Sequence, residues 1–254
     1  MRILASTLDK GGTGKTTLAV NIAAPLARLG NVLLIDLDPQ GNCSRYLGMD
    51  PAPSVFEFYC QDVPLSSLIK PTGRPGLHIL QSNSYTKAAA THADRQGIPL
   101  DLLLLEIHRL DTVYDFVVID THPGGYFAEV AHFMADLLLL PVALDSFSMY
   151  AIQDTIDVAQ TIAAREGKAP PPLLIIPNFY DHTNESAYTL GLMQEHFGEI
   201  VTAPIPKRVA VRESLDKGPL IEYAPNNDAT AAYERLVARL AMTDIEILFG
   251  EKAG

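Results

Sequence analysis

Short apolar runs alternate with longer amphipathic stretches along this chain of 254 residues. Six of the runs are almost continuously apolar, which is typical of strands that helices cover on both faces of a sheet. These strands are predicted over residues 2–8, 31–36, 76–81, 114–120, 136–142 and 172–178. Helices are predicted between and after them over 16–29, 98–110, 126–134, 148–166, 185–197 and 226–241.

Regular alternation of strands and helices predicts an α/β fold of three layers, α/β/α, with a mainly parallel twisted sheet and right-handed crossovers. We expect a single domain over residues 1–254. The segment 41–75 contains several Pro, Ser and Gly residues. It is expected to be irregular, with a short helix or two.

Composition and charge narrow the function classes. The formal net charge of −11 argues against a basic surface over the whole chain, so any contact with nucleic acid must come from a local patch. No apolar run approaches the ~18 residues that a membrane span needs. Cys43 and Cys60 lack metal-ligand or C-x-x-C spacing. They indicate two structural thiols in a reduced, cytoplasmic protein.

The segment "LDKGGTGKTT" (8–17) connects the first predicted strand directly to the first predicted helix. Its glycines allow successive backbone N–H groups to turn inward around a phosphate, and the helix N-terminus adds partial positive charge. Lys15 is expected to reach β- and γ-phosphates, and the Thr16 hydroxyl to ligate Mg²⁺. The segment therefore predicts a P-loop NTPase. It departs from the usual G-x-x-x-x-G-K-[ST] pattern because Asp9 replaces the first glycine and a second lysine, Lys10, follows.

Three acids end the neighbouring strands. "YDFVVID" ends at Asp120, which is typical of a Walker B carboxylate that acts on Mg²⁺ through water. "LLIDLDPQGN" (33–42) supplies Asp36 and Asp38, which project to the same side of an extended chain because they are two residues apart. One of these two is expected near the metal and the other near a water that faces the γ-phosphate. All three acids should meet the P-loop at the carboxyl edge of the sheet.

These motifs together resemble one known family. "KGGTGKTT" resembles the deviant Walker A motif K-G-G-x-G-K-[ST]-[ST], and "DLDPQGN" and "YDFVVIDT" are similar to its usual companions. "PIPKRVAVRESLDKGPLIEY" (204–223) resembles a later segment of the same family. The chain is identified as a member of the ParA/Soj/MinD-type ATPases, most similar to the ParA/Soj partition branch. The resemblance implies slow Mg²⁺-dependent ATP hydrolysis that is coupled to dimerisation.

The resemblance also implies roles for individual residues. Lys10 would reach the phosphates of a partner subunit in an ATP-sandwiched dimer, and Asp38 would be the hydrolytic aspartate. Asn178 and Pro206 match positions that frame adenine. The implied catalytic residues are Lys10, Lys15 and Asp38, and the implied metal-binding residues are Thr16, Asp36 and Asp120. The implied nucleotide-binding residues are Lys10, Gly11, Gly12, Thr13, Gly14, Lys15, Thr16, Thr17, Asn178 and Pro206.

The implied partners are a second copy of the chain, nonspecific DNA and a ParB-like stimulating protein, in a nucleoid-associated setting. The candidate DNA-binding cations are Lys207, Arg208, Arg212 and Lys217. Acids lie among them, so the alternative is a solvated helix face whose charges pair with one another. No N-terminal extension is available for a helix-turn-helix, so binding to a specific operator is not expected. His122 departs from the family pattern after the Walker B strand, and a loop histidine without a catalytic role is the simpler interpretation.

Three other functions differ in how well the sequence fits them. A positioning ATPase for a protein cargo, such as a microcompartment or receptor cluster, would use the same residues. A MinD-like membrane role would need a basic C-terminal helix, but in 242–254 the acids outnumber Lys252, which is unfavourable at an anionic membrane. Stable membrane association is therefore not expected. A metabolic relative of the iron-protein type does not fit, because Cys43 and Cys60 both precede the Walker B strand.

Overall fold

The structure, a computed structural model, describes residues 1–110 and 112–242, except for the side chain of Met242. The predicted C-terminal tail from 243 onward lies outside the described residues. The described strands are β1 (Arg2–Ser6), β2 (Val32–Asp36), β3 (Lys70–Pro71), β4 (Leu77–Leu80), β5 (Phe116–Asp120), β6 (Leu137–Ala143) and β7 (Leu173–Asn178). They form one seven-stranded sheet in the order β3-β4-β2-β5-β1-β6-β7.

Every pair of neighbouring strands is parallel except β3 with β4, which is antiparallel. The predicted mainly parallel sheet is therefore confirmed, together with all six predicted strands. The described helices are α1 (Lys15–Leu26), α2 (Asn42–Tyr46), α3 (Ser54–Gln61), α4 (Leu65–Leu68), α5 (Thr86–Gln96), α6 (Leu102–His108), α7 (Tyr126–Met134), α8 (Ser148–Arg165), α9 (Asn184–Phe197), α10 (Val209–Lys217), α11 (Leu220–Tyr223) and α12 (Asp228–Met242).

The two faces of the sheet carry separate apolar cores. Side chains alternate along each strand, so in β1 Ile3 and Ala5 enter one core and Leu4 enters the other. Helices α3 to α9 contribute to the first core, and α1, α2 and α10 to α12 contribute to the second. The strands other than the exposed β3 are mostly apolar because both of their faces are buried. The three layers of the predicted α/β/α fold follow directly from this arrangement.

The structure differs from the predicted elements in the less apolar segments. The stretch 41–75 holds three helices and the short β3, which is more regular than predicted. Helix α5 was not predicted, because the side chains at the centre of its buried face are only Ala89 and Ala93. The predicted helix 98–110 begins late, at Leu102, after a turn in which the Leu102 N–H donates to the Pro99 carbonyl. Among the helices of the described ranges, none combines the length and apolarity that crossing a bilayer requires.

Three central strands end together at the functional edge of the sheet. In the register of the sheet, Asp120 at the end of β5 lies beside Ser6 of β1 on one side and Asp36 of β2 on the other. The loop that follows β1 enters α1 directly above this row. The carboxyl ends of parallel strands are the usual place for a ligand site in such sheets.

Candidate active site

The loop between β1 and α1 has the backbone of a phosphate-binding loop. Gly12 and Gly14 adopt left-handed conformations, with φ of 73° and 95°. A Cβ added at Gly14 would lie 2.3 Å from Nδ2 of Asn178, so no side chain fits there. Asn178, at the end of β7, donates from Nδ2 to the carbonyl oxygen of Thr13 at 2.9 Å. The second half of the loop is thus fixed by its own glycines and by β7.

Lys15 lies inside the loop. Its side-chain amine donates to the carbonyl oxygens of Leu8 at 3.1 Å and Lys10 at 2.7 Å. Burial lowers the pKa of Lys15, and the nearby carboxylates, Asp120 above all, oppose that shift. A buried amine at the N-terminus of a helix is well suited to an anion such as a nucleotide phosphate.

Asp36 and Asp120 are fully buried side by side. The Thr16 hydroxyl donates to Oδ2 of Asp120 at 2.6 Å, which brings together the three predicted metal ligands. Burial raises the pKa of Asp120 to about 7. Burial, with the charge of Asp120 next, raises the pKa of Asp36 well above its usual range. Adjacent buried carboxylates are therefore costly in their charged forms.

These residues fit Mg²⁺. Oδ1 of Asp120 is buried and has no hydrogen-bond partner among the described residues. Both oxygens of Asp36 are held by backbone donors, Oδ1 by the Asp38 N–H at 3.0 Å and Oδ2 by the Cys43 N–H at 3.1 Å. Carboxylate and hydroxyl oxygens are the hard ligands that Mg²⁺ prefers. A divalent cation here would compensate the buried negative charge and satisfy the free oxygen.

Asp38 lies just outside the buried pair of Asp36 and Asp120. Its Oδ1 accepts from the Gln40 N–H at 2.8 Å, and it lines a cavity of about 400 Å³ together with the glycine loop. His122 also lines this cavity and is exposed, with its Nδ1 near the Pro123 carbonyl. The geometry is compatible with a water held by Asp38 above the loop. The hydrolytic role of Asp38 and any role of His122 stay predictions.

Lys10 is held by an acid that the sequence did not single out. Its amine contacts both carboxylate oxygens of Asp145, at 2.7 and 2.6 Å. Burial alone would raise the pKa of Asp145, but hydrogen bonds from Lys10, the Phe147 N–H and Ser148 outweigh it and lower that pKa. Next in the loop, the Asp9 N–H donates to the Thr155 hydroxyl at 3.3 Å. Asp145 lies in the turn before α8, which begins at Ser148, and Thr155 lies within α8. The first half of the loop, which contains Asp9 and Lys10, is therefore attached to α8 and the turn before it.

The two residues predicted to frame adenine make different contacts. The amide of Asn178 is engaged with the glycine loop, and Pro206 forms a bridge with Tyr180 on a neighbouring segment. Phe179, between them, was not predicted. It has a left-handed backbone with φ of 59°, and its ring lies close to Gly14. Phe179 lines both the loop cavity and an adjacent cavity of about 610 Å³, so it is a further candidate for contact with a base. Whether Asn178 and Pro206 contact adenine stays a prediction.

The four candidate DNA-binding cations are mostly paired within the chain. Lys207 contacts Asp181 at 3.3 Å, Arg208 contacts Asp228, and Lys217 lies 3.8 Å from Glu213. Arg212 is exposed and makes no ion pair in the described ranges. Lys207, Arg208 and Arg212 line the larger cavity beside the glycine loop. These cations therefore lie at the edge of the nucleotide site, and their contact with DNA stays a prediction.

A glycine loop that opens a helix, a second lysine in that loop and strand-end acids beside it define a P-loop ATPase of the deviant Walker A class. Residues 1–169 match the family model described as an AAA domain, AAA_31. The chain is 32% identical over 241 residues to the chromosome-partitioning ATPase Soj of Thermus thermophilus, covering 93% of this chain and 94% of that protein. The chain belongs to the ParA/Soj/MinD-type family of P-loop ATPases, and it is an ATPase with ATP and Mg²⁺ as its cofactors.

Solved structures agree with this fold. A McdA–ATP complex from Cyanothece superposes with a TM-score of 0.87 at 20% identity, covering 96% of this chain and 98% of that chain. Cobyrinic acid a,c-diamide synthase from Mycobacterium smegmatis, with a bound ATP analogue and magnesium, gives a TM-score of 0.78 at 26% identity. It covers 94% of each chain. Proteins with different names thus share this fold, so function must be argued from the site.

Proposed function

We propose that this ATPase segregates DNA. In its ATP-bound state two subunits associate, the dimer binds DNA without sequence preference, and hydrolysis separates the subunits again. The observation that carries the proposal is the placement of Lys10. The Lys10 amine is paired with Asp145 at the edge of the site, while the Lys15 amine lies inside the loop and bonds to its carbonyl oxygens. A second phosphate-loop cation that is not used within its own loop is suited to act on a neighbouring subunit.

Each of the candidate site residues then has a separate role. Lys15 and the loop N–H groups bind the phosphates, and Thr16, Asp36 and Asp120 hold Mg²⁺, which neutralises the charge of the transferring phosphoryl group. Asp38 orients the attacking water. Lys10 contributes its charge only after association, so the ATP state is linked to the dimer. ATP hydrolysis by the protein alone is slow, and a ParB-like protein is proposed to stimulate it.

The DNA role is supported by the relatives and by Arg212, which has no ion-pair partner among the described residues. The Thermus thermophilus relative is named a chromosome-partitioning ATPase. Arg212 is exposed on α10 and carries an uncompensated charge in the described part of the chain. Lys207 and Arg208 are neighbours of it around one cavity. Phosphates compete well for such cations, and their contacts weaken steeply with salt. A nucleoid-associated location follows from this proposal.

The proposal is tested with the Asp38→Ala protein, which should hydrolyse ATP poorly and keep the ATP state. Its binding to a random-sequence DNA duplex is measured by fluorescence anisotropy with ATP and with ADP, at low and moderate salt. We expect binding with ATP only, a steep decrease with salt, and loss of binding when Lys10→Ala is added. DNA binding that is equal with ATP and ADP would contradict the nucleotide gate. Rapid hydrolysis by Asp38→Ala would remove Asp38 from the mechanism.

A positioning ATPase for a protein cargo is the second candidate. The observation that favours it is the pairing of Lys207, Arg208 and Lys217 with acids of the same chain, which reduces the charge offered to DNA. An ATP-dependent dimer that binds no DNA at any salt concentration would support this candidate over DNA segregation.

A further inference from the structure

Cys43 lies at the metal end of the active site, and the proposed cycle gives it no task. It sits in the first turn of α2, and its N–H donates to Oδ2 of Asp36 at 3.1 Å. Its thiol donates to Oδ2 of Asp120 at 3.4 Å. All three residues are fully buried, and one potential ligand atom from each lies within 4.8 Å of the other two.

This set of ligands is unusual for Mg²⁺. Mg²⁺ is a hard cation that takes oxygen ligands, so the thiol of Cys43 adds nothing to its binding. One thiolate and two carboxylates are instead donors that Zn²⁺ and Cd²⁺ accept. Tetrahedral Zn²⁺ ligands lie about 3.5 Å apart. The Cys43 thiol lies 3.4 Å from Oδ2 of Asp120, and the ligand atoms of the cluster are all within 4.8 Å, so the spacing is close to that of such a site.

A second observation points to a cation at this place independently of the thiol. Oδ1 of Asp120 is buried without a hydrogen-bond partner among the described residues. Thr16, which bonds to Asp120, and Asn42, the chain neighbour of Cys43, both line the cavity of about 400 Å³ above the loop. The cluster therefore has a free oxygen ligand, a deficit of positive charge and solvent close by.

We propose that Asp36, Cys43 and Asp120 form a binding site for a thiophilic divalent cation, of which Zn²⁺ is the biological example, in the nucleotide-free protein. Coordination deprotonates the thiol, and the proton passes to solvent. The bound ion occupies Asp120, which the Mg²⁺·ATP complex also needs, so the two compete. A thiophilic ion thereby holds the ATPase in its nucleotide-free state. The inference depends on the ATPase site alone and is independent of the role in DNA segregation.

Cd²⁺ serves as the probe, because its bond to a thiolate produces charge-transfer absorption in the ultraviolet. Nucleotide-free protein, reduced with a phosphine and freed of excess reductant, is titrated with Cd²⁺ and then with Zn²⁺ as competitor. We expect the absorption to saturate at one equivalent and to be reversed by Zn²⁺. Cys43→Ser should abolish the band and weaken Cd²⁺ binding by at least about tenfold in calorimetry. Cys60→Ser is the matched control, since Cys60 is the other free cysteine and lies outside the cluster; it should keep the band.

The proposal is overturned if wild-type protein shows no saturable band, or if Cys60→Ser loses the band and Cys43→Ser keeps it. Circular dichroism verifies that Cys43→Ser is folded. A measurement on wild-type protein needs no variant: Mg²⁺·ADP added first should suppress the Cd²⁺ band, because both ions need Asp120. A Cd²⁺ band of unchanged size and affinity at saturating Mg²⁺·ADP would also overturn the proposal.

Discussion

The contact between Lys10 and Asp145 makes the proposed dimerisation depend on the breaking of an ion pair. In the proposed dimer, Lys10 has to leave Asp145 before it can act on a partner subunit. We therefore expect Asp145→Asn, which removes the charge and keeps the shape of the side chain, to favour the ATP-dependent dimer. The same change should leave nucleotide binding by Lys15 intact, because Lys15 bonds to the loop carbonyls and not to Asp145.

The size of the effect follows from the exposure of the pair. The side chains of Lys10 and Asp145 are 27% and 41% exposed, so water and salt screen much of their attraction. Exposed pairs contribute about 0.2–1 kcal/mol, and this bidentate contact belongs at the upper end, at about 1 kcal/mol. A symmetric dimer breaks two such pairs, which amounts to roughly 2 kcal/mol. The dimerisation constant should therefore rise by about 30-fold at low salt.

Sedimentation velocity with ATP and Mg²⁺, in an Asp38→Ala background that limits hydrolysis, measures this constant. Asp154→Asn is the matched control, because it removes the same charge from an exposed position of α8, two turns from the pair. The difference between the two variants should shrink at higher ionic strength, since salt screens the pair in the monomer.

The reasoning is refuted if Asp145→Asn dimerises no more tightly than Asp154→Asn. A dimer that is weaker in Asp145→Asn would show that Asp145 supports the interface and does not restrain Lys10. An equal gain in both variants would assign the effect to net charge alone.

Three further outcomes are expected. Because burial raises the pKa of Asp120 to about 7, the folded protein retains a proton that the unfolded chain loses near pH 4, so stability without nucleotide falls as pH rises between these values. Asp120→Asn should flatten the decrease in Tm between pH 5 and 8, and a Tm profile that still follows wild type would contradict this. Phe179→Leu should raise the Kd for ATP by about tenfold and reduce the preference for ATP over CTP in competition binding, because base stacking contributes about 1–3 kcal/mol. Arg212→Ala should weaken ATP-dependent DNA binding several-fold in anisotropy titrations, whereas Arg109→Ala, an exposed cation on another face, should not; equal effects would exclude a local DNA surface.

The sheet could be predicted from the sequence because its strands are buried on both faces. Continuous runs of large apolar residues leave few alternatives to a buried strand, and all six predicted strands are present. Helix α5 escaped prediction because the alanines on its buried face give little contrast with its polar face. Helix α10 was not predicted from apolar periodicity either, since only Val211 and Ser214 of its nine residues are buried. Small or short buried faces carry a weak periodic signal.

The active site divides in the same way. Lys15, Thr16, Asp36 and Asp120 belong to local motifs, and the structure brings them together at the edge where the strands end. Asp145 could not be found in this manner, since its meaning depends on a contact with a residue 135 positions away. Phe179 and Cys43 are likewise ordinary residues in the sequence, and only their positions beside Gly14 and Asp120 make them candidates.

The backbone explains why the loop accepts Asp9 where the standard loop has glycine. Left-handed φ occurs at Gly12 and Gly14 but not at Asp9, so this position has no need of glycine. The second half of the loop is fixed by β7 and by Thr16, while the first half is attached to α8 through the Asp9 N–H and Lys10. A glycine at Asp9 would add freedom where the loop is held by its neighbours. In the proposed cycle, nucleotide binding and subunit association thus act on two halves of one loop, each with its own contacts, so that the second lysine is released without loss of the phosphate site.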